Sequence, residues 1–239
     1  MDGAVLAYIL KTVDYQEHSK LVYYYCETGI HSALARGVKK LSSPFRHAIQ
    51  PGNLVQLTLT KGKLPSVKEA ELSTYFFKIK EDLIKSTITS IINELIYYNV
   101  SKEDNHHKLF HFVVKLLQRL NDTNDALELL MIFEMKFLYF LGYGIDFKAC
   151  HVCQSEEALY FNTHTSMVAC KVHTELGEHI LSEETFLPLK YFLHCDILAY
   201  QSLSLSSETL NYLMQIIDGL YAYHLGNHLK SKKILYTLL

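Results

Sequence analysis

The chain has 239 residues, 49% of them hydrophobic and 20% charged, with a net charge of −2. This balance fits one large or two modest globular domains and excludes a disordered or collagen-like chain. Met1-Asp2-Gly3 lacks the basic start of a signal peptide, and Glu128, Glu134 and Lys136 break up the most apolar stretch, Leu127 to Leu141. That stretch is therefore expected to be an amphipathic helix rather than a membrane span, in a cytoplasmic protein. Cys26 and Cys195 stand alone in apolar surroundings, as reduced core cysteines do in a reducing compartment. Residues 1–80 hold eleven Lys+Arg against six acids, so the basic charge is concentrated in the first third and the remainder is acidic. A basic segment joined to an acidic one points to a polyanion as one partner.

Residues 1–76 read as β structure. Ala4–Lys11 is apolar at nearly every position, Ser19–Glu27 contains Tyr23-Tyr24-Tyr25, and Ile30–Val38 follows the turn at Glu27-Thr28-Gly29. After a loop through Ser42-Ser43-Pro44, Val55, Leu57 and Leu59 alternate with polar residues, and Lys61-Gly62-Lys63 turns into Val67–Leu72. Five short strands in this length fit a small closed barrel of the oligonucleotide-binding (OB) type, although an SH3-like barrel has the same strand count. Arg36, Lys39 and Lys40 follow the third strand and, with Arg46 and the Lys61/Lys63 turn, offer cations for phosphates; the plainer reading is a solvated charge run. The three tyrosines divide between the two strand faces, for packing or for stacking on bases, with packing the commoner fate.

Residues 77–239 read as helical. Ile79, Leu83, Ile84, Ile88, Ile91, Ile92, Leu95 and Ile96 recur at three and four residues and form one stripe, and Leu109, Val113, Leu116, Leu117 and Leu120 form another. Asn121 to Asp125 offers N-cap chemistry for a helix from Ala126 that ends at Gly142. Two later helices use Phe186, Leu189, Phe192 and Leu193, and then Leu210, Leu213, Ile217 and Leu220 behind a Ser206 cap; Lys230, Lys232 and Lys233 form a basic tail.

Between these helices stand Cys150, Cys153, Cys170 and His173, a C-x-x-C and a C-x-x-H pair with sixteen residues between them. A two-residue gap lets one tight turn present both side chains to one ion, so each pair supplies half of a tetrahedral zinc site. Ala158–Phe161 and Ser166–Ala169 flank a turn at Asn162–Thr165 and read as a hairpin, giving a zinc-ribbon layout over residues 148–175. Four protein ligands close the coordination sphere, so one structural Zn2+ is expected. Redox-active thiols are the alternative, and His151 and His164 are alternative ligands that spacing leaves open.

Enzyme readings find little support. Gly62-Lys63 lacks the rest of a phosphate-binding loop, and GxGxxG and HExxH are absent. His106, His107 and His111 have helix-compatible spacing for a metal, but no carboxylate completes an obvious catalytic set.

Several short runs share one order and spacing: Ala35-Arg36-Gly37-Val38-Lys39-Lys40, then Gln50-Pro51, Phe133-Glu134, Leu141-Gly142-Tyr143 leading through Phe147 to Cys150, and Leu229-Lys230-Ser231. Together they resemble the RecO family of bacterial recombination mediators over nearly the whole chain. The resemblance implies an N-terminal OB-fold and a helical C-terminal domain that carries a zinc finger in many members. It also implies binding of single- and double-stranded DNA, annealing of complementary strands, and action with RecR in loading RecA onto DNA coated by single-strand-binding protein. The setting would be the bacterial nucleoid, with no membrane and no small-molecule substrate. The acidic, Phe-ended tail of single-strand-binding protein would meet the helical domain near Phe133. Ile132 stands where some relatives have an arginine, and Lys136, one turn further, is the expected substitute. A zinc-ribbon transcription or RNA-binding factor and a metal-dependent nuclease remain the alternatives.

Overall fold

A computed structural model describes residues 4–100, 106–175, 177, 179–226 and 229–239, which form two compact units, 1–124 with 229–239 and 125–228. The first unit opens with β1 (Ala4–Tyr15), β2 (Ser19–Cys26), β3 (Gly29–Ala35), β4 (Leu54–Leu59) and β5 (Val67–Thr74), an antiparallel sheet in the order β3-β2-β1-β4-β5. The near-continuous apolar run of β1 follows from burial on both faces. Ala7 and Ile9 join Val22, Tyr24, Ala33, Val55 and Leu57 in one core, while Tyr8 and Leu10, also buried, alternate with them along the strand.

The sheet does not close into the expected barrel. Between its edge strands the described residues form one isolated parallel bridge, Leu34 to Ser66, where Leu34 N donates to Pro65 O at 2.8 Å. The irregular Thr60–Ser66 connection enters β5 too late for a full ladder with β3.

Helices α1 (Phe77–Glu81), α2 (Leu83–Asn99), α3 (His107–Asp122) and α7 (Lys230–Leu238) complete this unit. The stripe expected to be continuous from Ile79 is cut at Asp82, whose backbone is extended and whose carboxylate accepts from Lys85 N at 3.0 Å. The cap ends α1 and starts α2, leaving Leu83 exposed while Ile88, Ile91, Ile92, Leu95 and Ile96 are buried. The basic tail is α7, packed on α2: Ser231 N and Oγ donate to Glu94, and Lys232 and Leu235 are buried.

The second unit contains α4 (Ala126–Phe140), β6 (Leu159–Asn162), β7 (Met167–Cys170), β8 (Ile180–Ser182), α5 (Glu183–His194) and α6 (Ser207–Leu225). Ser206 caps α6 by accepting from Thr209 N at 3.2 Å, and Gly226, at φ +61°, closes it in the left-handed conformation that glycine adopts without penalty. α4 is buried nearly all round instead of amphipathic. Its Glu128 is enclosed because Tyr200 Oη, Leu203 N at 2.9 Å, and Ser202 Oγ and Leu205 N at 3.4 Å all donate to the carboxylate. No helix among the described residues is long and apolar enough to cross a membrane.

Candidate metal centre and nucleic-acid interface

The hairpin of β6 and β7 pairs Leu159 with Cys170 and Asn162 with Met167, and β8 adds to the free side of β6. Phe161 from the hairpin packs with Phe147 and with Phe186 of α5, anchoring the small sheet on the helical core. Two tight turns present the four expected ligands. Gln154 N donates to Cys150 O at 2.9 Å in the first turn, and His173 N donates to Cys170 O at 2.9 Å in the second. The ligand atoms of Cys150, Cys153, Cys170 and His173 all lie within 4.8 Å of one another.

A zinc tetrahedron with Zn–S of about 2.3 Å and Zn–N of about 2.1 Å has ligand–ligand edges of roughly 3.5–3.8 Å. The observed edges are 3.7 Å for Cys153 to Cys170, 3.6 Å for Cys150 Sγ to His173 Nδ1 and 3.3 Å for Cys170 Sγ to His173 Nδ1. Burial raises the Cys150 thiol, but backbone N–H groups of Cys153, Cys170 and Val152 outweigh it and bring the pKa down to about 5. Hydrogen bonds to Cys170 and Cys150 raise His173. Closely spaced sulfurs, two of them (Cys150 and Cys170) shifted toward thiolate, are a donor set that a single dication satisfies. The cluster is thus a possible Cys3His metal site, compatible with structural zinc.

The alternative ligands lie elsewhere. The backbone N and Nδ1 of His151 both bond Val168 O at 2.9 Å, and His164 stacks on His179 with centroids 3.6 Å apart.

The basic residues divide by environment. Arg36, just beyond β3, is exposed, and its Nε donates to Ser66 Oγ at 3.4 Å, so the bridge at Leu34 sets it beside the β4–β5 connection that holds exposed Lys61 and Lys63. Lys40 is also exposed and Arg46 is partly so. Lys39 folds back on β1, its Nζ 2.8 Å from Asp14 Oδ2, and this hydrogen bond and charge hold the Asp14 carboxyl below the usual carboxylate range. The tyrosines of β2 are engaged in packing: Tyr24 in the sheet core, Tyr25 under Phe110 and His106, and Tyr23 edge-on to Tyr97 at 5.4 Å.

On α4, Phe133 is fully enclosed and stacked on Phe137 at 5.2 Å, and Ile132 is equally buried. Lys136 is half-buried, with its amine donating 2.7 Å to Leu193 O in the last turn of α5; burial lowers its pKa. A cation at that carbonyl also complements the helix dipole.

Sequence reasoning missed two arrangements. In sequence Glu128 reads only as a break in an apolar run, although a carboxylate in such a run is itself a signal of buried donors. Glu27, which meets His107 and His111, gives no signal at all, because it comes from a turn 84 residues away from His111.

A hairpin that carries a possible Cys3His metal site on a helical core, following an antiparallel sheet flanked by exposed cations, defines a two-unit α+β protein. Comparison with known proteins narrows this. The family described as Recombination protein O N terminal matches residues 4–76, and that described as Recombination protein O C terminal matches residues 80–233. The chain is 29% identical over 233 residues to the DNA repair protein RecO of Clostridium novyi (strain NT), covering 95% of this chain and 91% of that one. It is 27% identical over 232 residues to the DNA repair protein RecO of Bacillus subtilis (strain 168), with the same coverages of 95% and 91%. The chain belongs to the RecO family and has a role in DNA repair and recombination.

Proposed function

We propose that this protein is a non-enzymatic recombination mediator that binds single- and double-stranded DNA through the basic edge of its N-terminal sheet and anneals complementary strands. With RecR it would load RecA onto DNA coated by single-strand-binding protein, in the cytoplasm at the nucleoid. The observation that carries this reading is that both RecO family patterns fit the chain in order, and that Arg36 Nε donates to Ser66 in the connection that also holds Lys61 and Lys63.

The N-terminal five-stranded sheet is best understood as an open OB-type sheet. Its strand order and the parallel bridge at Leu34 draw the two edge strands toward one another as such a barrel would. Residues 1–76 would then be the DNA-binding domain and 77–239 the helical one. With its tyrosines packed, β2 offers no stacking platform, so affinity rests on phosphate contacts from Arg36, Lys40, Arg46, Lys61 and Lys63, with weak sequence preference.

The Cys3His cluster would hold one structural Zn2+ and fix the hairpin at 148–175. On the helical domain, Lys136 would give the carboxylate of the single-strand-binding protein tail its cation, with Phe133 packed behind it. The tie to Leu193 O makes that interaction weaker than an arginine would.

Fluorescence anisotropy with matched DNA and RNA oligonucleotides tests the reading. Comparable binding of single- and double-stranded DNA of unrelated sequence is expected. A preference for RNA or for one promoter sequence would favour the transcription or RNA-binding alternative.

A further inference from the structure

Three residues that the repair role leaves unused meet at one corner of the first unit. His107 and His111 lie four residues apart at the start of α3 and therefore share a helix face. The turn between β2 and β3 brings Glu27 to that face, with its Oε1 2.6 Å from His111 Nε2 and 3.8 Å from His107 Nε2. All three ligand atoms lie within 4.8 Å of one another, and the two imidazole rings stand with centroids 4.4 Å apart. His106, grouped with them by sequence, is buried against Tyr25 and takes no part.

We infer that Glu27, His107 and His111 form a second metal site, which takes a borderline divalent transition-metal ion of the Zn2+ or Ni2+ class. Two imidazole nitrogens and one carboxylate suit these ions, whereas Mg2+ and Ca2+ select all-oxygen sets and soft ions select thiolates. The side chains of His107, His111 and Glu27 remain 61%, 43% and 50% exposed, so an ion enters from solvent without disturbing the core. Modest side-chain rotation replaces the Glu27–His111 hydrogen bond with two metal bonds and brings in His107. Three protein ligands leave further coordination positions facing solvent, in contrast to the four-ligand cysteine cluster. A bound ion staples the first two turns of α3 to the β2–β3 turn and so links helix to sheet within the unit.

Isothermal titration of the full chain carrying one equivalent of zinc, with Ni2+ as the probe, tests this. One further equivalent is expected to bind and to raise Tm. His107→Ala and His111→Ala should each weaken that event by at least about tenfold while zinc content stays at one per chain. Glu27→Gln, which keeps size and removes charge, should weaken it as well and carries the test if either alanine variant fails to fold. Absence of a Ni2+ event beyond the cysteine cluster overturns the inference. So does an event unchanged in these variants.

Discussion

Lys39 and Lys40 are adjacent in sequence but should make unequal contributions to DNA binding. The salt dependence of affinity counts phosphates neutralised, with log K falling by ~0.7 per phosphate for single strands. Five contacts from the proposed set Arg36, Lys40, Arg46, Lys61 and Lys63 would give a slope of about −3.5, or roughly two orders of magnitude in affinity between 50 and 200 mM salt. Lys40 is exposed, so Lys40→Ala should flatten the slope by about 0.7. The Lys39 amine is held 2.8 Å from Asp14, so Lys39→Ala should weaken binding but leave the slope almost unchanged. The double variant should lose about 0.7 and not twice that, while Asp14→Asn, which frees Lys39, should steepen the slope by up to about 0.7. Anisotropy titrations of a labelled oligonucleotide across a salt series measure all four. Equal flattening by Lys39→Ala and Lys40→Ala, with no effect of Asp14→Asn, would refute the reasoning.

Cys170→Ser should reduce zinc from one per chain to near zero and expose the segment from Gly144 to His173 to protease, since structural zinc contributes on the order of 10–16 kcal/mol of apparent binding energy in small domains. Elemental analysis and limited proteolysis read this out, and full zinc retention would contradict it. Glu128→Ala strands the Tyr200, Leu203 and Leu205 donors and should cost about 3–5 kcal/mol, with the milder Glu128→Gln at about 1–2. Chemical denaturation with a loss under 1 kcal/mol for the alanine variant would show that water replaces the carboxylate. Lys136→Ala should weaken binding of a labelled acidic, Phe-ended tail peptide several-fold; unchanged binding would leave Lys136 serving only Leu193 O.

The strands and the Cys3His cluster are legible in the sequence because each depends on short-range pattern. Alternation in Val55, Leu57 and Leu59 is local, and so is the two-residue gap between paired ligands. What escapes notice depends on long-range convergence. The cap at Asp82 competes with an unbroken apolar period and wins locally, so one stripe becomes two helices. The loop bearing Tyr200, Leu203 and Leu205 turns a helix expected to show two faces into an enclosed one, because it brings donors to Glu128 from more than seventy residues away. Barrel closure fails for a similar reason: strand count is local, whereas a ladder between β3 and β5 depends on how the Thr60–Ser66 connection is routed. The cationic run from Arg36 to Lys40 reads as uniform in sequence, and only Asp14 on β1 distinguishes Lys39 from its neighbour.

The most direct test of the central claim is a strand-annealing assay with two complementary labelled oligonucleotides, bare or coated with single-strand-binding protein, run with and without chelator. The protein should accelerate annealing well above the spontaneous rate on both substrates and leave the strands intact. Annealing no faster than the spontaneous rate, or strand cleavage that chelator abolishes, would contradict a non-enzymatic recombination mediator.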